Sequence, residues 1–133
     1  MRVVFDSNIF ISALAIPGSQ AEKAILRILS GHDTLLISQK ILDETLSTLA
    51  NKFSRDIEAL SRVAVNLTEM SEMITPRKKL KVLKDDPDNR VLECALEGDA
   101  DFVVTGDKEM LRQKHYGGIQ IITLREYLDM SGS

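Results

Sequence analysis

Apolar positions along the chain fall into short continuous runs separated by longer stretches in which they recur every three or four residues. The first kind predicts buried strands and the second predicts amphipathic helices. Residues 2–5 (Arg-Val-Val-Phe) are a strand candidate, and residues 8–15 read as a helix stopped by Pro17-Gly18. Ser19 with Glu22 three residues on forms a capping-box pattern. It opens a helix whose inward face carries Ala24, Ile25, Ile28 and Leu29 and which ends at Gly31. Residues 34–37 are the second strand candidate. Ser38 caps the helix that follows, with Ile41, Leu42, Thr45, Leu46 and Leu49 in its buried stripe. Ser54 is predicted to begin another helix, with Ile57, Leu60, Val63, Ala64 and Leu67 inward.

Residues 72–75 are a third strand candidate, and the polar, basic residues 76–84 read as an extended loop. A helix over 89–97 is closed by Gly98, and residues 102–105 form a compact buried strand. A short helix over 108–114 ends near Gly117-Gly118, a strand covers 120–122, and a last helix covers 124–129. Strands separated by helices imply a parallel sheet covered on both faces. The expectation is one α/β domain over residues 1–133, a three-layer α/β/α arrangement around about five parallel strands. No repeat, low-complexity tract or flexible linker interrupts it.

Composition narrows the classes. With 133 residues, 44% of them hydrophobic and 28% charged, the chain can bury one sizeable core unaided. The single cysteine, Cys94, excludes an internal disulfide and suits a reducing cytoplasm. The apolar run at the start is too short for a signal peptide or a membrane span, so neither secretion nor membrane insertion is expected. A net charge of −3 argues at first against a nucleic-acid partner. If four of the acids neutralise metal ions, however, the rest of the chain carries +1. Local placement of Lys and Arg then matters more than the total.

Four acids stand out by position. Asp6 directly follows the first strand candidate, and Asp107 follows the strand over 102–105. In an open parallel sheet the carboxyl ends of the strands share one edge, where ligands bind. Glu44 lies on the helix after the second strand, and Asp88 stands just before the helix over 89–97. Clustered carboxylates raise one another's pKa unless a cation intervenes. Oxygen-only ligands suit Mg²⁺ or Mn²⁺, which assist in-line phosphodiester displacement. Taken singly, Asp6, Asp88 and Asp107 also read as turn residues or helix caps and Glu44 as a solvated helix residue. Asp85 and Asp86 read as a polar turn with Pro87, and Cys94 as packing. No His or Cys cluster has zinc-ligand spacing; His32 and His115 stand apart.

Asp6-Ser7-Asn8, Ile41-Leu42-Asp43-Glu44, the run from Asp88-Asn89 to Ala95, and Val103-Val104-Thr105-Gly106-Asp107 together resemble the motifs of PIN domains. The likeness covers essentially the whole chain and is strongest to the VapC-type toxin components of toxin–antitoxin pairs. It implies an Mg²⁺- or Mn²⁺-dependent endoribonuclease, with Asp6, Glu44, Asp88 and Asp107 as metal ligands and catalytic acids. Asn8 and Thr105 are implied as auxiliary residues, Asn8 orienting Asp6 or a water and Thr105 supporting Asp107. It also implies an RNA substrate, a small antitoxin partner and a homodimer. The Asp85-Asp86-Pro87-Asp88-Asn89 spacing departs from the common Asp-Pro-Asp-Asp-Asn form. Asp88 is preferred for its distance to Ala95, and a contribution from Asp86 stays open.

Arg77, Lys78, Lys79, Lys81 and Lys84 form a basic run that either holds RNA phosphates or is a solvated loop. Two rival functions remain. An inert PIN-like module would bind RNA or a partner without cutting, and the presence of all four acids counts against it. A phosphoacceptor receiver-like domain would need an Asp after a middle strand, where this chain has Ser38-Gln39.

Overall fold

Val3, Val4 and Phe5 are wholly buried, as expected of a central strand flanked on both faces. The computed structural model describes residues 1–53 and 56–130. In chain order its elements are β1 (Arg2–Phe5), α1 (Ser7–Ala15), α2 (Gln20–Leu29), β2 (Thr34–Ser38), α3 (Gln39–Lys52), α4 (Ile57–Met70) and β3 (Ser71–Ile74). They continue as α5 (Asp86–Glu97), β4 (Phe102–Val104), α6 (Lys108–Gln113), β5 (His115–Tyr116), β6 (Ile119–Ile122) and α7 (Leu124–Asp129). Helices flank the sheet in a three-layer α/β/α arrangement.

The sheet runs in the order β3-β2-β1-β4-β6-β5. All pairings are parallel except β5 with β6. The chain leaves β1 in one direction for β2 and β3, then returns to build β4 and β6 on the other side. The switch point therefore lies between β1 and β4, where Phe5 pairs with Val104.

The sheet has six strands rather than about five. The extra one, β5, is the short arm of a hairpin turned by Gly117 (φ +54°) and Gly118 (φ +83°), two positive φ values that suit a type I′ turn. The glycines read from sequence as a helix end because a two-residue strand carries no periodicity. Gly98 does close α5, and a Cβ there would lie 2.7 Å from Leu36 Cδ1.

Two other expectations change. Helix α5 begins at Asp86, with Asp85 at its cap, so Asp88 lies inside the first turn rather than before it. Pro87 sits in that turn, where its missing N–H costs nothing. Ser19 accepts from Glu22 N–H, but Glu22 reaches back to Gly18 rather than to Ser19. The complete capping box is that of Thr123 and Glu126 at α7. The predicted helix start at Ser54 lies outside the described residues; described helix begins at Ile57, capped by Asp56.

Leu29 and Ile57, assigned to inward faces, are 62% and 78% exposed. Helix α4 buries only Leu67. A largely apolar groove of about 530 Å³ lies between α1, α2 and α4, with Leu14, Leu29, Glu22 and Glu69 among its lining residues.

Candidate active site

Asp6 leaves β1 and caps α1, so its position is set by the switch point. Its backbone N–H donates to Val104 O (3.0 Å), tying the end of β1 to β4. The side chain is nearly buried. Asp6 Oδ1 accepts from Asn8 N–H (3.3 Å) and from the Ser7 hydroxyl (3.4 Å). Oδ2 accepts from Thr105 Oγ1 at 2.7 Å. That same Thr105 oxygen accepts from Asp107 N–H at 3.0 Å. One buried hydroxyl thus joins the two strand-end acids. Asp107 in turn caps α6, its Oδ1 accepting from Met110 N–H (3.0 Å). Asp6 and Asp107 are therefore helix caps and strand-end acids at once.

Asp88 is buried in the first turn of α5, and its Oδ2 has no hydrogen-bond partner among the described residues. Its carboxyl is pushed up to about 7, first by burial and then by the charges of Asp107, Asp85, Asp6 and Glu109. Asp107 and Asp6 follow the neighbouring strands β4 and β1, so two of these charges come from the carboxyl edge of the sheet. An ionised carboxylate there is repelled by those four acids, which a cation would relieve.

Glu44 stands on the exposed side of α3 and lines a cleft of about 310 Å³ together with Asp6, Asp43, Asp86, Lys40 and Arg90. Asp86 is thus at the site, through the cleft rather than beside Asp88. Neither Asp88 nor Asp107 lines that cleft, and Glu44 is not among the charges that raise Asp88. Asp6 belongs to both groups. Asn8 is exposed and meets Asp6 through its backbone N–H. Among the described residues, no three His, Cys, Asp or Glu side chains are arranged to hold a metal ion. The donor chemistry nevertheless fits a hard divalent cation: the ligands are all oxygens, one of them buried and orphaned.

The basic run divides. Arg77 is paired with Glu97 (3.0 Å), while Lys78 and Lys79 are exposed. Sequence reasoning did not single out Ser7, Lys40, Arg90 or Glu109 at this edge. Ser7 was legible as the residue between Asp6 and Asn8. Lys40 and Arg90 had a signal too, since each lies four residues from a named acid, Glu44 or Asp86, on its helix.

The fold and the site define a class of three-layer α/β/α domain with acids gathered at the switch point of its sheet. The PIN domain sequence profile matches residues 2–109, and the chain belongs to the PIN domain family. That membership disposes of the receiver-like reading. An uncharacterized protein of Methanocaldococcus jannaschii is 29% identical over 115 residues, covering 84% of this chain and 74% of that protein. Among solved structures, VapBC-1 from nontypeable Haemophilus influenzae is similar with a TM-score of 0.68 at 18% identity, over 94% of this chain and 99% of that one. VapBC2 from Rickettsia felis, bound to a DNA fragment from its promoter, gives 0.66 at 14% identity, over 92% and 98%. At those identities the likeness is one of fold. No helix among the described residues is long and apolar enough to cross a membrane.

Proposed function

We propose that this PIN domain is an Mg²⁺- or Mn²⁺-dependent endoribonuclease, the toxin half of a toxin–antitoxin pair acting in the cytoplasm. The observation that carries the reading is the orphaned, buried oxygen of Asp88 beside Asp6 and Asp107 at the switch point. Asp6, Asp88 and Asp107 would hold the cation, with Glu44 across the cleft as a further ligand or the group that orients the attacking water. The cation would supply charge neutralisation and a lowered pKa for water. Thr105 holds Asp6 Oδ2 in place through its hydroxyl. Lys40 places positive charge in the cleft wall where a phosphate would enter, whereas the Arg90 guanidinium there is already paired with Glu93 and Asp86.

Supporting the toxin half of the reading, two similar folds are those of the VapBC structures named above. The antitoxin would lay an apolar segment in the groove between α1, α2 and α4, where the lining residues Glu22 and Glu69 would favour one carrying Lys or Arg. A homodimer is the expected assembly of the toxin.

The experiment is cleavage of a mixed-sequence RNA in Mn²⁺ by the wild type and by Asp6→Asn. Cleavage that drops at least about 100-fold in the variant supports the reading. Cleavage at an equal rate removes Asp6 from the chemistry. A wild type that binds RNA and never cuts it is the inert module instead.

A further inference from the structure

Residues 76–84 have no regular secondary structure, yet their backbone is fastened along one face of α5. Arg77 N–H donates to Glu97 Oε1 (3.1 Å). Leu80 N–H donates to Glu93 Oε2 (2.7 Å), and Leu80 O accepts from Arg90 Nη2 (3.1 Å). Asn89 Oδ1 accepts from Val82 N–H (3.0 Å) and Leu83 N–H (2.8 Å), while its Nδ2 donates to Leu83 O (2.9 Å). Asn89, Glu93 and Glu97 are spaced four apart, so they stand on one helix face about one turn from each other. They grip the segment in reverse order. The segment therefore runs antiparallel to α5, from its C-terminal end to the first turn that contains Asp88.

The clips act on backbone groups, and of the lysines Lys78 lies near enough to Glu97 to help hold that carboxyl below its usual range. Asn89 and Glu93 are buried, and Arg90 pairs with Glu93 at 2.7 Å behind the segment. Lys78, Lys79, Lys81 and Lys84 are all exposed, and none enters an ion pair among the described residues. Arg77 differs, because its guanidinium is paired with Glu97. At the far end, Lys84 shares a shallow depression with Glu109 and Arg112. Lys84 also adjoins Asp85, and Asp85 and Glu109 are among the acids that raise Asp88. The row of charges thus ends at the acid edge.

A protein of net charge −3 with an acid-lined site does need a local positive strip to bring a polyanion there. We propose that residues 76–84 are a rigid cationic rail on which Lys78, Lys79, Lys81 and Lys84 take successive phosphates of the RNA strand leading into the site. Arg77 serves as an anchor and not as a phosphate ligand. The proposal rests on the ribonuclease reading and adds the path of the strand.

The test measures binding of a mixed-sequence single-stranded RNA in the Asp6→Asn background, where cutting is suppressed, across a salt series. Replacing the four lysines together by Gln should weaken binding about 10–100-fold and lower the slope of log K against log salt by about 3, at roughly 0.7 per lost phosphate contact. Arg77→Gln should leave that slope unchanged. A four-lysine variant that keeps the parent affinity and slope overturns the rail, and so does an Arg77→Gln slope change as large as one lysine's. Cleavage by the otherwise wild-type chain in Mn²⁺ separates the two claims. Cleavage with an unaltered lysine variant leaves the nuclease standing without the rail. A wild type that neither cuts nor binds RNA overturns both.

Discussion

The Thr105 hydroxyl donates to the Asp6 carboxylate at 2.7 Å across 99 residues of chain, and accepts from Asp107 N–H at 3.0 Å. This contact follows from the sheet order, since β1 and β4 are hydrogen-bonded neighbours whose ends lie side by side. Thr105 is therefore a positioning residue for both strand-end acids, and not for Asp107 alone.

Thr105→Val keeps the shape and deletes the hydroxyl. It strands Asp6 Oδ2 and the Asp107 N–H in a buried setting, which costs about 1–3 kcal/mol. Loss of such a supporting contact to a metal ligand lowers affinity or activity by about 10–100-fold. Thr105→Ser should restore most of both. Urea unfolding and Mn²⁺-dependent cleavage measure the pair of effects. A valine variant that is less stable and fully active would show that the hydroxyl serves folding only.

Much of this edge was legible in the chain. The buried runs at residues 2–5 and 102–105, each followed by an acid, predict a parallel sheet with Asp6 and Asp107 at one edge, because strand direction fixes which end faces the ligand. The limits of α5 were not legible. Asp85, Asp86 and Pro87 are turn residues by composition, but Pro is favoured in a first helical turn, and that moved Asp88 inside the helix. The clips on residues 76–84 were also hidden. They depend on which face of α5 meets the segment, a tertiary fact that local pattern does not carry. The two-residue β5 was missed because strand signals need about four residues to show alternation.

Asn89 makes three hydrogen bonds to the backbone of Val82 and Leu83 from a buried position. Asn89→Ala leaves those backbone groups to find water or stay unpaired, and should cost roughly 2–3 kcal/mol. The loss should be local as well as global. Amide exchange at Val82 and Leu83 should accelerate far more than at Val3 or Val103 in the sheet. Uniform acceleration across all four would mean that the segment is not separately clipped.

Asp33 joins the last helix to α2. Its carboxylate accepts from Tyr127 Oη at 2.6 Å and from Arg27 Nε at 3.2 Å, and Arg27 lies over the Tyr127 ring at 4.8 Å. Burial pushes Asp33 up, but the Tyr127 hydroxyl, the N-terminal ammonium and Arg27 outweigh it and hold the carboxyl below the usual range. A depressed folded pKa gives stability that is present above the unfolded value and is lost as pH falls through the folded one. The loss should thus fall below about pH 4. Asp33→Asn should cost about 2–4 kcal/mol at pH 7 by leaving Arg27 without its carboxylate, and should flatten the acid limb. Thermal melts from pH 2 to 7 followed by circular dichroism decide it; parallel acid limbs in the two proteins would remove Asp33 as the source.

Asp88 carries the opposite sign. Its carboxyl is raised to about 7 by burial and by Asp107, Asp85, Asp6 and Glu109. Below about pH 4 both folded and unfolded chains hold this proton, so it contributes no pH dependence there. Between about pH 4 and 7 the unfolded chain releases it while the folded chain keeps it, so stability declines as pH rises and the decline is complete above 7. The full penalty is on the order of 2–4 kcal/mol. In EDTA, the wild-type melting temperature should fall from pH 5 to 8 relative to that of Asp88→Asn, which lacks the titrating group. Other acids titrate in both proteins, so the difference between the curves isolates this one. Added Mn²⁺ should recover the wild-type loss at pH 8 and leave the variant nearly unmoved, because cation and proton compete for the same oxygens. Curves that stay parallel in EDTA would mean that Asp88 ionises without strain, and the cluster would then have no physical need of a cation.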